Sequence, residues 1–220
     1  VLLVSLLVFL PLTLETLVAE FLFTLMLEER VVVDTLLGRR IIRILLLAAR
    51  IRVFLRDLYL FLYRILTVNR GLRVDIGGMG VFRLDYAFAF NRFESWGSGH
   101  NDGFCRLIEE CNGKTTVFDI GAHIGLCALP VSRLLRENGS VFAFEPSEIN
   151  LHYLRKHIRY NRIANILTFP YLVGEACQTG VSFYEAREVT GMNSIVQHKV
   201  LETAVWTQRE QICLDDFCEK

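Results

Sequence analysis

The chain has 220 residues, which suffice for one full domain with an accessory segment but not for two domains of ordinary size. Its 24 Lys and Arg residues balance 24 Asp and Glu residues, so no overall positive field attracts a nucleic acid, and we expect no nucleic-acid partner. Apolar residues reach 52%, and their excess is concentrated in the first 66 positions. We therefore predict a hydrophobic helical segment over residues 1–70 and a globular domain over residues 71–220.

The opening stretch, residues 1–27, carries only two charges, Glu15 and Glu20. About 20 predominantly apolar residues suffice for a helix to cross the hydrocarbon core of a bilayer. The first 19 residues contain a single acid, Glu15, which costs only ~3 kcal/mol even at the centre of a helix, and the many leucines and valines outweigh it. The pattern therefore predicts a membrane-spanning helix, with a buried helical hairpin as the alternative.

Residues 28–73 contain ten arginines and no lysine between long runs of Leu, Ile and Phe. Four charged positions recur every seven residues: Arg43, Arg50, Asp57 and Arg64. On a helix, that spacing forms one polar stripe on an otherwise apolar cylinder, which suits a membrane interface. We expect membrane association through residues 1–66. The alternative is a helical cap that packs on the globular domain or on a dimer partner.

The arginines also predict an orientation. An excess of arginine on one side of a spanning helix favours the cytoplasm for that side. Because the arginines follow residues 1–27, we expect a membrane-associated protein whose globular domain lies in the cytoplasm.

The globular part begins at Gly71, where apolar and polar residues start to alternate. The segments LRVDI and VFRLDYAFAF flank the glycine-rich GGMG, which predicts a β-hairpin over residues 72–90. A helix, DGFCRLIEEC, follows over residues 102–111 and is expected to stop at Asn112 and Gly113.

A strand, a glycine loop and a helix follow in TTVFDIGAHIG and IGLCALPVSRLLRENG. A bulky cofactor at the carboxyl end of a parallel strand requires a tight turn whose backbone approaches the ligand without intervening Cβ atoms. Gly121 and Gly125 meet that requirement. Asp119, near the end of the strand, is placed to hold the loop amides or the positive amino group of a bound amino-acid moiety.

A second strand, SVFAFEP, places Glu145 at its carboxyl end, 20 residues beyond Gly125. A carboxylate in that position can accept hydrogen bonds from both hydroxyls of a ribose. Pro146 ends the strand, and Ser147 can cap the following helix, EINLHYLRKHIRYN. A third strand, ILTFPYLVG, completes a β-α-β-α-β order with short links, which predicts a Rossmann-like α/β domain with a parallel sheet.

The glycine spacing separates two classes of cofactor. Residues 121–125 read GAHIG, whereas dinucleotide-binding domains carry G-x-G-x-x-G, which leaves room for a pyrophosphate. A Walker lysine is absent as well. S-adenosylmethionine has no phosphates and requires neither feature, so the sequence favours a methyltransferase, with an NAD-type oxidoreductase as the weaker alternative.

Cysteine and histidine residues give no sign of a metal site. The six cysteines have neither zinc-ligand nor C-x-x-C spacing, so we expect reduced thiols. His152 and His157 lie five residues apart on a predicted helix and therefore on different faces. We expect both histidines to be surface residues.

The segments VFDIGAHIGLCAL, VFAFEPSEINLHYLRKHIRYN, GMNSI and ICLDDFC resemble the FkbM family of S-adenosylmethionine-dependent methyltransferases, over about residues 71–220. The resemblance implies methyl transfer, mostly to a hydroxyl oxygen on a sugar or small molecule. It also implies that the glycine loop lines the methionine side of the cofactor, that Glu145 holds the ribose, and that the next two residues border the adenine. The cofactor-binding residues expected in total are Asp119, Gly121, Ala122, His123, Gly125, Glu145, Pro146 and Ser147.

Two departures from the FkbM pattern bear on activity. Family members continue with a strand that carries Asp-x-Glu-Gly-x-Glu, and this chain ends at Lys220, so we expect an incomplete parallel sheet in a fragment or a degenerate homologue. His123 stands where many relatives have Asn, and we favour a structural hydrogen-bonding role for it over that of a general base. A catalytically inactive, membrane-associated scaffold that keeps the fold is the main alternative function.

Overall fold

The computed structural model describes residues 36–67, 69–96, 102–186, 193, 195 and 205–219. The chain forms two compact units, Val1–Asn69 and Arg70–Lys220. The membrane-spanning helix predicted over residues 1–27 lies outside the described residues.

The described part of the first unit forms a long helix, α1 (Leu36–Leu66), of 31 residues. The chain leaves the helix where Asn69 adopts a left-handed conformation, with φ of 56°. The Asn69 side chain accepts a hydrogen bond from Arg64 Nε at 3.1 Å, which fastens this turn to the last part of the helix. Among the described residues, no helix is both long enough and apolar enough to cross a membrane.

The second unit begins with the predicted hairpin, which the structure confirms. Strands β1 (Leu72–Asp75) and β2 (Val81–Leu84) pair in antiparallel register. Gly77 and Gly78 occupy the turn with φ of +56° and +77°. A type I′ turn needs positive φ at both of its central residues, and glycine adopts such values without a steric penalty.

The second strand of the hairpin is shorter than the alternation predicted. It ends at Leu84, and residues Tyr86–Phe88 form a 3-10 helix instead of strand. The side chain of Asp85 accepts a hydrogen bond from the Ala87 amide at 3.0 Å. This local bond offers the backbone an alternative to the strand ladder, which the apolar alternation did not reveal.

Helix α2 (Asp102–Glu110) lies where the sequence predicts it. Gly113 has φ of +72°, the left-handed value that commonly follows a helix, and its amide donates to the Leu134 carbonyl at 2.9 Å. The predicted helix stop is therefore confirmed.

Three strands form a parallel sheet in the order β3 (Thr116–Ile120), β4 (Ser140–Phe144), β5 (Ile166–Phe169). Helices α3 (Ala128–Leu134) and α4 (Glu148–Asn161) make the two connections. Each new strand lies beside the one before it, as in one half of a Rossmann-like sheet. The β-α-β-α-β order predicted from the sequence is confirmed.

The third predicted strand is wrong in its second half. The ladder of β5 stops at Phe169, because Pro170 has no amide hydrogen to donate. The chain resumes as β6 (Leu172–Val173) in a second sheet of order β6-β8-β7. Its other strands are β7 (Gln178–Glu185) and β8 (Val205–Ile212), and a short helix, α5 (Leu214–Cys218), follows.

The two faces of the parallel sheet differ in what covers them. Val141, Ala143 and Ile166 belong to a buried core shared with α3, α4 and the hairpin. Phenylalanine side chains fill the opposite face, where Phe217 of α5 packs edge-on against Phe169 at a centroid distance of 5.0 Å. Among the described strands, β3 pairs with β4 alone and so forms an edge of the sheet.

Candidate functional site

The glycine loop after β3 is fastened to the end of β4. The amides of Gly121 and Ala122 both donate to the Phe144 carbonyl, at 2.9 and 3.0 Å. Gly121 has φ of +79°, is exposed, and a Cβ atom built on it would meet nothing within 4 Å. The loop backbone is therefore open to an approaching ligand at Gly121.

Gly125, at the other end of the loop, is buried and serves packing. It has φ of +97°, and a Cβ atom there would lie 2.7 Å from Leu154 Cδ1 of α4. Leu154 is itself fully buried, so its side chain could give way only by repacking the core around it. Glycine is required at this position to let α4 approach the loop.

Glu145 ties the glycine loop to the start of α4. Its Oε2 accepts a hydrogen bond from the His123 amide at 2.7 Å, and its Oε1 accepts one from the Ser147 amide at 2.9 Å. His123 has φ of 51°, which directs its amide toward the carboxylate. Glu145 is only 5% exposed, and this burial raises the pKa of its carboxyl group above the ordinary value.

Ser147 caps α4, as the sequence predicts. Its Oγ accepts a hydrogen bond from the Asn150 amide at 3.2 Å. The Asn150 side chain also donates to Glu145 Oε1, at 3.4 Å. The helix cap and the buried carboxylate thus share one hydrogen-bonded network.

Asp119 lies near the end of β3 with an unsatisfied carboxylate oxygen. The carboxylate accepts a hydrogen bond from the Ala128 amide at the start of α3, but its Oδ2 is buried and has no hydrogen-bond partner within the described part of the chain. Burial, followed by the negative charge of Glu145, raises the pKa of Asp119 to about 6. Two buried acids close together form a site that a cation would stabilise.

Cys127 precedes α3 and is close enough to Asp119 to be influenced by its charge. Burial, with a contribution from Asp119, raises the pKa of the Cys127 thiol to about 12. The thiol is therefore protonated at neutral pH, and a thiolate nucleophile is not available at this position.

The expectation that His157 is a surface residue is wrong. Its side chain is fully buried, whereas His152 on the same helix is exposed, as expected. His157 Nε2 accepts a hydrogen bond from the Asp85 amide at 2.9 Å. Its Nδ1 lies 2.8 Å from the Ile124 carbonyl, and since a carbonyl only accepts, Nδ1 carries the proton. His157 thus joins the hairpin to the glycine loop.

A buried ion pair supports the segment after Glu145. Arg209 Nη2 contacts Glu185 Oε2 at 2.7 Å, and Arg209 Nε donates to the Pro146 carbonyl at 2.7 Å. Ser147 Oγ donates to Glu185 Oε1 at 2.5 Å. The residues predicted to border the adenine are therefore positioned by β7 and β8. These strands carry no sequence motif that would have predicted this supporting role.

We expect the Arg209→Met variant to lose about 3 kcal/mol of unfolding free energy. Arg209 and Glu185 side chains are 14% and 8% exposed, and removal of one partner leaves a buried charge uncompensated. Arg209 Nη1 also lies 3.4 Å from Glu148, but that side chain is 78% exposed, so Glu148→Gln is the matched control with less than about 0.5 kcal/mol of effect. Urea denaturation followed by circular dichroism measures both. Equal losses of unfolding free energy in the two variants would contradict a stabilising role for the buried ion pair of Arg209 and Glu185.

The eight predicted site residues divide into two groups. Asp119, Gly121, His123 and Glu145 meet at the carboxyl ends of β3 and β4, and Pro146 and Ser147 follow directly. Ala122 and Gly125 are buried in the loop and contribute to its packing. Contact of these residues with a cofactor stays a prediction.

Comparisons with known proteins give local likeness only. No family model matches the chain, and no curated protein matches it in sequence. TYW2 of M. jannaschii, solved in complex with AdoMet, is 26% identical over 40% of this chain and 38% of its own, with a TM-score of 0.32. A SAM-dependent methyltransferase from Aquifex aeolicus is 22% identical over 30% of this chain and 36% of its own, with a TM-score of 0.28.

Precorrin-6y C5,15-methyltransferase from Geobacter metallireducens is 19% identical over 36% of this chain and 38% of its own, with a TM-score of 0.29. The chain thus spans less than two fifths of the length of each of these structures. Likeness at these TM-scores does not show a family, so the resemblance to the FkbM family stays a prediction.

Proposed function

We propose that the unit Arg70–Lys220 is the cofactor-binding part of an S-adenosylmethionine-dependent methyltransferase of the FkbM type. The observation that carries the proposal is the buried, partnerless Oδ2 of Asp119 beside a second buried carboxylate, Glu145. S-adenosylmethionine carries positive charge on its sulfonium and its amino group. A cation at this place would satisfy the free lone pairs of Asp119 and relieve its repulsion by Glu145.

The remaining geometry fits the same cofactor. Gly121 exposes its backbone with no side chain in the way, as close approach of the amino-acid moiety requires. Glu145 already accepts hydrogen bonds from two backbone amides, but each carboxylate oxygen has more than one lone pair. In the proposed complex, the remaining lone pairs accept the ribose hydroxyls, and Pro146 and Ser147 border the adenine.

The NAD-type alternative fits the site less well. A pyrophosphate binds where helix amides are free at the N-terminus of a helix, and at α3 the Ala128 amide already donates to Asp119. A pyrophosphate would also face the negative charges of two carboxylates. The electrostatics of the site therefore favour a cationic ligand over an anionic one.

The proposed reaction is the direct transfer of a methyl group to an acceptor oxygen. S-adenosylmethionine supplies the electrophilic methyl group. The chain's own residues hold and orient the cofactor, and most of the rate gain would come from placing the acceptor in line with the methyl group. The proposed acceptor is a hydroxyl group on a small molecule or glycan. We assign no residue as the general base.

We expect S-adenosylmethionine to bind the full chain and its affinity to fall as the pH drops below about 6. The pKa of Asp119 is about 6, so its negative charge is lost in that range, and protonation of Glu145, whose pKa is also raised, acts in the same direction. Asp119→Asn should weaken binding about tenfold or more at pH 7.5, which corresponds to about 1.4 kcal/mol, and should make the pH dependence shallower. Isothermal titration calorimetry at several pH values measures both.

The stability of the Asp119→Asn variant separates loss of a ligand contact from loss of the fold. The folded pKa of Asp119 is raised above 3.8, so the stability it contributes is present at low pH and lost as the pH rises through about 6. At neutral pH the variant should therefore be more stable than the parent by about 1–2 kcal/mol. The residue as a whole is only partly buried, although its Oδ2 is buried, so solvent screens part of the cost of the charge. The exposed Asp215→Asn is the matched control and should change neither property.

Three outcomes would overturn the proposal. A parent chain that fails to bind S-adenosylmethionine over the whole pH range would favour the inactive scaffold. Binding of NADH in its place would favour the oxidoreductase. An Asp119→Asn variant that is folded and binds as tightly as the parent would remove Asp119 from the site.

A further inference from the structure

Helix α1 (Leu36–Leu66) exposes large apolar side chains along most of its length. Ile44, Phe54 and Leu66 have exposed fractions of 65%, 65% and 81%. Five of the exposed apolar side chains recur at spacings of seven and four residues, which places them on one face of the helix: Ile44, Ile51, Leu55, Leu62 and Leu66. An exposed apolar face of this length indicates an interaction surface.

The charges on α1 are almost all positive. The helix has seven arginines, no lysine and one acid, Asp57, so its net charge is 7 − 1 = +6. Asp57 is paired with Arg56 at 2.9 Å. Arg43, Arg50 and Arg64 are exposed and lie seven or fourteen residues apart, which aligns them along one side of the helix.

The arginine stripe lies away from the apolar face, toward the opposite side of the helix. At about 100° per residue, the stripe of Arg43, Arg50 and Arg64 lies roughly 110–170° around the helix from the centre of the apolar face. A helix that lies in a membrane interface buries its apolar face at the boundary of the acyl chains, while guanidinium groups extend to the headgroups. Guanidinium groups bind phosphate with paired hydrogen bonds, which suits anionic phospholipids.

We infer that α1 docks in the plane of a membrane surface that carries anionic phospholipids. Charge complementarity selects this partner, because a net charge of +6 on an apolar helix matches negatively charged headgroups above hydrocarbon. The apolar side chains exposed on this helix supply the area that the interface buries. The docking surface is independent of the cofactor site and of the methyltransferase proposal.

The test is flotation of the full chain with two kinds of vesicle, phosphatidylcholine alone and phosphatidylcholine mixed with phosphatidylserine. The parent should bind the anionic vesicles more strongly, and added salt should reduce the difference. The triple variant Arg43→Gln, Arg50→Gln, Arg64→Gln should lower partitioning into anionic vesicles roughly 100-fold. Binding to neutral vesicles should stay the same in this variant.

Two further variants make the test specific. Ile51→Gln with Leu62→Gln should lower binding to both kinds of vesicle, because these side chains form part of the apolar face. A control with the same change of charge, Arg106→Gln, Arg136→Gln and Arg159→Gln, alters exposed arginines of the other unit and should bind like the parent.

Equal binding of the parent to neutral and anionic vesicles would overturn the inference, as would an arginine triple variant that binds like the parent. The first result would mean that headgroup charge does not select the membrane, and the second would mean that other residues recognise the anionic headgroups. A third outcome would also overturn the inference. If the parent self-associates in the absence of vesicles and the Ile51→Gln, Leu62→Gln variant does not, the apolar face binds a second copy of the chain.

Discussion

Replacing His157 by alanine is expected to lower the free energy of unfolding by about 5 kcal/mol. The imidazole is fully buried, and truncation of a buried aromatic side chain leaves a cavity that costs about 3–5 kcal/mol. The Asp85 amide and the Ile124 carbonyl would also lose their partner. Each such buried, unsatisfied group costs about 1–3 kcal/mol, although relaxation of the structure reduces the sum.

Chemical denaturation of the parent and variant chains measures this loss. His152→Ala is the matched control, since it changes an exposed histidine on the same helix, and its effect should stay within about 0.5 kcal/mol. Equal losses of stability in the two variants would mean that a change in helix propensity explains the result. The two buried hydrogen bonds of His157 would then contribute nothing measurable.

The pH dependence of the stability of the parent and of His157→Ala tests the protonation state of His157. Burial lowers the pKa of His157 to about 4, below the ordinary value of 6.5. The unfolded chain therefore takes up the proton first as the pH falls, and the stability present above pH 6.5 is lost as the pH falls toward 4. Between pH 7 and pH 4, the difference in stability between parent and His157→Ala should narrow by about 3 kcal/mol. A constant difference would mean that the pKa of His157 is the same in the folded and unfolded states.

Gly125→Ala should be the second most damaging change, with a loss of about 4 kcal/mol. The new Cβ atom would lie 2.7 Å from Leu154 Cδ1, well inside van der Waals contact, and Leu154 is held in the core. The backbone φ of +97° adds strain for any residue that has a Cβ atom. Overpacking of this kind typically costs 1–3 kcal/mol, and positive-φ strain of order 1–3 kcal/mol comes in addition.

Gly121→Ala is the matched comparison, because it places the same methyl group at the other end of the same loop. Its φ is +79°, but the space around its Cβ atom is open, so only the strain of about 1–2 kcal/mol remains. If the proposed site is right, Gly121→Ala should weaken S-adenosylmethionine binding while the fold persists. Thermal unfolding and calorimetry on both variants separate the packing role of Gly125 from the ligand-binding role of Gly121. Similar unfolding temperatures for the two variants would contradict this division.

The elements that could be read from local pattern were predicted well. The hairpin turn depends on two adjacent glycines, and α4 depends on the Ser147 cap followed by an amphipathic helix. The parallel order of β3, β4 and β5 follows from the alternation of short strands and helices. In the hairpin turn and the helix cap, the deciding interactions join residues close together in the chain, and the parallel strands pair only across one helical connection.

His157 shows where prediction from local pattern fails, although the helical spacing contained a sign that this residue is buried. Helix α4 buries Leu151 and Leu154, and position 157 lies three residues beyond Leu154 on the same face. The spacing therefore indicated burial, but the identity of histidine suggested exposure. Its partners, Asp85 and Ile124, lie 72 and 33 residues away, so no local pattern pointed to them.

By itself, the sequence determined the turn of the hairpin, the order of the three parallel strands, the glycine loop and the placement of Asp119 and Glu145 at the ends of neighbouring strands. Only the tertiary structure decided that Asp119 has a buried oxygen without a partner, that Gly125 serves packing against α4, and that Arg209 supports the segment after Glu145. The physical reason is that strands and turns follow from nearest neighbours, whereas burial and charge depend on side chains that are distant in sequence and brought together by packing.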